Sequence, residues 1–290
     1  MYDQIGFPGC CSSTDCTHIY WDRCPAQMRS LASGKENRPT VVYSASVDHA
    51  RKIFNYAGPF YGTVNDKSIS LYDKWLKAVP TDPLFTEVTY ELYDKDGVKN
   101  TYRGAWVMCD GGYHKFRYMQ CPLKYSSSDA IKVWSGAVES ARKDVECIFG
   151  LLKARFSILK KPFQYQTVEQ VDNAVVSCMI LHNMLLSVNG WEDIFDEDRD
   201  FSGDEREGAI HVWRTKRQKV SQRKYVKGGS IRRQHAARGM VADDPLESLN
   251  VVNSDDVINQ PGYHELQELL VMHYDRASYL GKVRALGPQA

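Results

Sequence analysis

The sequence predicts an α/β fold followed by a charged extension, and three observations predict it. Short, β-rich apolar runs fill the first 110 residues or so, two long helical patterns occupy residues 128–188, and past Gly190 the charges segregate into blocks. The chain has 290 residues, 43% of them hydrophobic, which is enough for a sizeable core, and a charged fraction of 25% that is ordinary for a globular protein.

The strands come first. Residues 9–20 (GCCSSTDCTHIY) enter through a Pro8-Gly9 turn and read as a strand carrying Asp15 within it or at its end. Pro39–Ser46 and Arg51–Tyr61 read as the next two, and Gly62–Asp66 turns the chain. Ser68–Val79 has helical spacing through Ile69, Leu71, Tyr72, Leu76 and Val79. Val88–Tyr93 and Val98–Tyr102 flank Asp94-Lys95-Asp96-Gly97, a hairpin signal. Ala105–Cys109 is a short apolar run whose C-terminal end presents Asp110.

Two helices follow. In Ser128–Phe156 the residues Val138, Ala141, Val145, Ile148, Leu152 and Phe156 recur at three- and four-residue steps and form a core stripe. Arg142, Glu146 and Lys153 fall within about 40° of one another on one edge of that stripe, at about 100° per residue. Alone, this is the pattern of an ordinary salt-bridged helix edge. The second helix, Thr167–Val188, begins with a capping-box pattern at Thr167 and Gln170 and stops at Gly190. Its apolar stretch Ala174–Leu186 is broken by His182-Asn183 and is read as a buried helix too short to span a bilayer, so no membrane is expected.

The formal net charge of +1 hides two opposed blocks. Trp191–Glu207 is acidic and Trp213–Gly239 is basic, the pattern of a solvated, disordered linker over 190–245. Lys216, Arg217, Lys219, Arg223, Lys224, Arg232 and Arg233 are its candidate DNA-phosphate contacts, or part of a nuclear localisation signal. Residues 246–290 are read as a tail with a short amphipathic helix at about 263–285. None of the eight cysteines forms a C-x-x-C pair or has zinc-finger spacing, and no signal peptide is visible at Met1–Pro8, so reduced, buried thiols in an intracellular protein are expected.

Two aspartates near the ends of short apolar strands and a helix-borne glutamate form a rarer pattern than any one of them. Cutting a phosphodiester needs an activated oxygen nucleophile and charge stabilisation at the leaving oxygen, which two divalent ions held by converging carboxylates supply. On these residues the chain resembles the Harbinger-type DDE transposases, especially the plant Ping/Pong-like branch, and the Harbinger transposase-derived nucleases. The matching segments are Gly6–Pro8 with Ser13-Thr14-Asp15-Cys16-Thr17-His18, then Gly58–Asp66, Asp96-Gly97, Trp106–Tyr113 and Ile180–Asn183. The most specific is Glu139–Phe156 (ESARKDVECIFGLLKARF), and together they cover about residues 5–187.

The resemblance implies a ribonuclease-H-like mixed sheet flanked by helices over residues 1–189. It implies a catalytic and metal-holding triad of Asp15, Asp110 and Glu146, with two Mg²⁺ or Mn²⁺ ions as cofactors. Thirty-five residues separate Asp110 from Glu146, as that class suggests. Asp66 is an auxiliary acid, with its membership of the triad as the alternative. Arg142 and Lys153 would position Glu146 or DNA phosphates. His18 is either a contact to metal or DNA or a packed, hydrogen-bonded histidine, and Tyr113 either meets DNA or caps its strand. His182 is read as a satisfied core histidine.

The expected activity is cleavage and strand transfer at transposon ends, in the nucleus, with DNA as partner. A Myb-like DNA-binding protein and a second copy of the chain are further expected partners. The family's proteins carry an N-terminal helix-turn-helix-like region, whereas Met1 here lies fourteen residues before Asp15. That leads to the expectation of a truncated copy, an incomplete gene model or a form relying on a partner. The rival reading is a domesticated derivative that binds DNA or a partner without catalysis.

Overall fold

In the computed structural model, which describes residues 2–124, 127–189 and 262–283, the strands form one mixed five-stranded sheet and a separate two-stranded hairpin. The sheet's strands are β1 (Cys10–Tyr20), β2 (Thr40–Val47), β3 (Ile53–Tyr61), β6 (Trp106–Met108) and β7 (Met119–Gln120), in the order β3-β2-β1-β6-β7. β1, β2 and β3 run antiparallel, while β6 lies parallel to β1 and β7 parallel to β6. Between β3 and β6 come the short helices α2 (Asp66–Tyr72), α3 (Lys74–Ala78) and α4 (Pro83–Thr86), then a separate hairpin, β4 (Thr89–Tyr93) with β5 (Lys99–Arg103). A four-residue α1 (Arg29–Ala32) links β1 to β2.

The 27-residue helix α5 (Asp129–Arg155) lies across one face of the sheet. Val145, Ile148 and Leu152 share a core with Ile19, Trp21, Val41, Tyr43 and α7 (Val168–Asn189). Its N-terminal half, Trp134, Val138 and Ala141, packs with Trp106 and Met108. The short α6 (Ser157–Lys160) joins the two long helices. This is the ribonuclease-H-like arrangement, a mixed five-stranded sheet flanked by helices.

Three local differences from the sequence reading have simple causes. The helical run Ser68–Val79 is two helices, because Asp73 leaves helical geometry and caps the second one, accepting from Trp75 N and Leu76 N. The second long helix extends past its apolar stretch to 22 residues and is, by length and composition alone, long enough to cross a membrane. One face of it, however, carries Val171, Val175, Val176, Cys178 and Met179 into the core beneath. Finally, all eight cysteines are free thiols, but Cys10, Cys11, Cys16 and Cys147 are only partly buried.

The amphipathic helix expected at 263–285 is α8 (Tyr263–Tyr279). Its Leu266, Leu270, Val271 and Tyr274 join the cluster around Trp106 and Trp134. Polar contacts fix it in place. Gln267 donates to the Cys121 carbonyl at 3.0 Å, and the backbone N–H of Tyr93 donates to His273 Nδ1 at 3.0 Å. The basic residues between Lys216 and Arg233 lie outside the described residues.

Candidate active site

Strand alternation decides which residues of β1 can act together. Ser13, Asp15 and Thr17 project to the face covered by α5. Ser13 Oγ donates to the Arg142 carbonyl at 2.9 Å, Arg142 reaches the Asp15 carboxylate at 3.3 Å, and Lys153 Nζ donates to Thr17 Oγ1 at 3.4 Å. Asp15 is thus mid-strand, opposite Ala45 of β2. On its other side Ser13 pairs with Met108, so continuing the parallel register by two residues carries Asp110 to the level of Asp15. Adjacent strands lie about 4.8 Å apart. β6 ends at Met108, so the crevice opens beside Asp15 beyond the carboxyl end of β6, while β1 runs on to Tyr20. Open α/β sheets bind ligands in this position.

Helix α5 brings the glutamate. Arg142, only 6% exposed, is the hub: Glu146 Oε1 lies 2.7 Å from one guanidinium nitrogen and Glu139 Oε1 2.8 Å from the same nitrogen. With Asp15, three carboxylates surround one buried cation. Burial pulls the Arg142 pKa down, but Glu139, Glu146 and Asp15 together raise it above its ordinary value. Burial pushes the Asp15 carboxyl up to about 6. The Cys16 N–H and Arg142 oppose that rise, while the charges of Asp66 and Glu146 add to it.

Asp66 opens α2, directly after the Asn65 cap, whose side chain accepts from Ser68 N at 2.8 Å. Its charge acts on Asp15, Cys16, His18 and Tyr113. Asp110 Oδ1 accepts from Gly111 N at 2.7 Å. Tyr113 is buried, its hydroxyl 3.4 Å from Cys16 Sγ, so it braces the Asp110 turn against β1. His18 Nδ1 lies 2.9 Å from Thr40 Oγ1 and burial lowers its pKa, so the ring is neutral and tied to β2 at neutral pH. Lys153 is near Thr17 and forms no ion pair with Glu146.

The other edge of α5 carries a contact that sequence reading did not single out. Asp144 is buried, with His49 Nδ1 at 2.5 Å and Arg51 Nε at 3.8 Å, both from the β2–β3 loop. The same loop is held by α7. His182 is fully buried, donating from Nε2 to the Arg51 carbonyl and accepting an Arg155 N–H at Nδ1, each at 3.0 Å. Burial pushes its pKa down to about 4. Asn183 pairs with both backbone groups of Ile53, standing in for a neighbouring strand at the free edge of β3. Glu139, the closest partner of Arg142 after Glu146, also had no role expected from the sequence; its three-residue spacing from Arg142 was the signal that could have found it.

The structure therefore groups Asp15, Glu146 and Arg142 by direct contact and brings Asp110 alongside by strand register, while Asp66 acts on Asp15 through its charge. Among the described residues, no three His, Cys, Asp or Glu side chains are grouped closely enough to hold a metal ion as they stand. The donor chemistry nevertheless suits a hard divalent cation: oxygen ligands only, with excess negative charge in a partly buried crevice. The Arg142 guanidinium holds the position between Asp15 and Glu146.

No curated protein and no solved structure matches the chain. A family model described as "plant transposon protein" does, over residues 1–193, which span every residue of this crevice. The chain belongs to the plant transposon protein family.

Proposed function

We propose that the chain is the catalytic core of a Harbinger-type DDE transposase, a divalent-metal-dependent endonuclease and strand transferase acting on DNA at transposon ends in the nucleus. The observation that carries this reading is the juxtaposition of Asp15 on β1 with Asp110, two residues past the end of the neighbouring parallel strand β6, beneath the α5 edge that bears Glu146. Asp15, Asp110 and Glu146 would hold Mg²⁺ or Mn²⁺, with Asp66 as an auxiliary acid whose charge acts on Asp15. The ions, when bound, supply a deprotonated oxygen nucleophile and charge neutralisation at the leaving oxygen. Arg142 orients Glu146 and Asp15 by its two ion pairs, and its release from either carboxylate frees that group to take a ligand. Tyr113 and Ser13 fix the two walls of the crevice, one against Cys16 and the other against the α5 backbone.

A rival reading, a transposase-derived protein that binds DNA without cutting it, has one observation on its side: Arg142 occupies Glu146 and Asp15 in the geometry described. Cleavage of duplex DNA carrying the element's terminal repeats, in Mg²⁺ or Mn²⁺, decides between them. The proposal expects nicking at the repeat end that disappears in Asp110→Ala and Glu146→Ala. Cutting that persists in both variants defeats the assignment of the carboxylates, and a wild-type chain that binds but never cuts supports the rival.

A further inference from the structure

Asp110 leaves the sheet where it is thinnest. β6 is the three residues Trp106–Met108, and the edge strand β7 is only Met119 and Gln120. Their pairing holds the end of β6. Val107 N donates to the Tyr118 carbonyl at 2.7 Å and Cys109 N to the Gln120 carbonyl at 3.0 Å, and Asp110 is the next residue. So short an edge strand has too few ladder bonds to fix itself, and its position is set by what covers it. The N-terminal turns of α8 cover it. Gln267 Nε2 donates to the carbonyl of Cys121, the residue that follows β7, at 3.0 Å. The Gln120 side chain donates back to the Tyr263 carbonyl at 3.3 Å, and Tyr263 Oη lies 3.0 Å from Cys121 Sγ. Gln120 and Gln267 are both buried, so no water replaces these bonds when they open. The Tyr263 ring shares one buried cluster with Cys109 and Tyr113, which flank the Asp110 turn on its two sides.

The family match ends at residue 193, and α8 begins at Tyr263. The bonds that seat β7 thus come from a part of the chain that the match does not span. Farther along, α8 meets the hairpin instead: His273 Nδ1 accepts from Tyr93 N at 3.0 Å, and Lys282 Nζ donates to the Tyr93 hydroxyl at 2.7 Å. Gln267 and His273 stand about 9 Å apart along the helix axis, so the two contacts can be broken separately. We propose that Tyr263 and Gln267 are positioning residues for Asp110, acting through β7, so that the candidate site is complete only when α8 is docked on the family-matched region. With these bonds made, the end of β6 is pinned and Asp110 stays level with Asp15. Without them β7 loosens, and the Asp110 carboxylate loses its fixed place beside Asp15 and Glu146.

The inference rests on the nuclease reading only for what Asp110 is held to do. Two measurements on the full chain test it. One is Mn²⁺ affinity by calorimetry; the other is amide hydrogen exchange without metal at Cys109 and Tyr113, referred to the amides of β2. Gln267→Leu keeps the side-chain bulk and removes the donor. It should speed exchange at both amides about tenfold relative to β2 and weaken Mn²⁺ binding about tenfold. Tyr263→Ala should act in the same direction and more strongly, whereas Tyr263→Phe, which keeps the ring in its cluster, should retain most of the affinity. His273→Leu strands the Tyr93 N–H. It should lower the urea midpoint at least as far as Gln267→Leu does and leave both quantities at their wild-type values. Equal weakening of Mn²⁺ binding in His273→Leu and Gln267→Leu would reduce α8 to a general source of stability and overturn the inference. Wild-type exchange at Cys109 in Gln267→Leu overturns it as well. If the wild-type chain binds no Mn²⁺ while Gln267→Leu still frees the Cys109 and Tyr113 amides, the metal reading fails and the positioning stands. If Mn²⁺ binds the wild-type and Gln267→Leu chains alike, the positioning fails and the metal reading stands.

Discussion

The two edges of α5 carry the same kinds of side chain with opposite charge balance. On one edge a single buried arginine, Arg142, faces three carboxylates, Asp15, Glu139 and Glu146, with Asp66 close enough to act on Asp15 as well. On the other edge a single buried carboxylate, Asp144, faces two basic partners, His49 and Arg51. The second arrangement is compensated and ties the β2–β3 loop to the helix. The first leaves negative charge in excess at a partly buried crevice, which a bound cation would offset. The excess of charge separates the candidate site from the structural ion pair, although the two lie within one helical turn of each other.

The comparison predicts different outcomes for similar substitutions. The largest effect is on activity: Asp110→Ala or Glu146→Ala should reduce DNA cleavage by more than about a thousandfold while the melting temperature changes little. Asp144→Ala should do the reverse. It strands His49 and Arg51 and should cost about 3 kcal/mol in denaturant unfolding, with the remaining folded protein still binding divalent ions. A milder effect is expected at Asp15→Asn, which relieves repulsion on the over-charged edge. Calorimetric unfolding at pH 7.5 should show a change under about 1 kcal/mol, in the stabilising direction. A clear loss at Asp15 would mean that its pair with Arg142 is structural and that the contrast between the edges is false.

Acidification supplies a smaller test away from the crevice. Burial pushes His182 and His273 down to about 4, below the ordinary 6.5. The unfolded chain therefore binds more protons than the folded one between those values. The stability these two neutral rings contribute is complete above about pH 6.5 and is lost as the pH falls through about 4. Urea midpoints measured from pH 7 to 4.5 should fall, and His182→Gln should flatten part of that fall. An unchanged pH profile in His182→Gln would remove this histidine from the account.

How much of this was legible in the sequence depended on whether the contact was local. The strands, the α5 stripe and the Arg142–Glu146 pair follow from periodicities of two and 3.6, and the structure carries all of them. The break at Asp73 was missed because a capping aspartate interrupts the run without disturbing its apolar spacing. The contact of Arg142 with Asp15 spans 127 residues and that of His49 with Asp144 spans 95, and no local pattern encodes either. Sequence blocks past Gly190 suggested a charged extension, whereas the apolar stripe of α8 had no visible partner until Trp106 and Trp134 were seen beside it. The ILHN segment resembled a family motif without an evident reason; the fold shows His182 and Asn183 holding Arg51 and Ile53.

The central claim is that the over-charged edge of α5 faces a divalent cation, and direct binding tests it most simply. Mn²⁺ titrated into the full chain, followed by calorimetry without DNA, should bind at millimolar concentration or below. The affinity should be lost in Asp110→Asn, reduced in Glu146→Gln and unaltered in Asp144→Asn. The claim is contradicted if Mn²⁺ fails to bind the wild-type chain, or binds the Asp110 and Asp144 variants equally well.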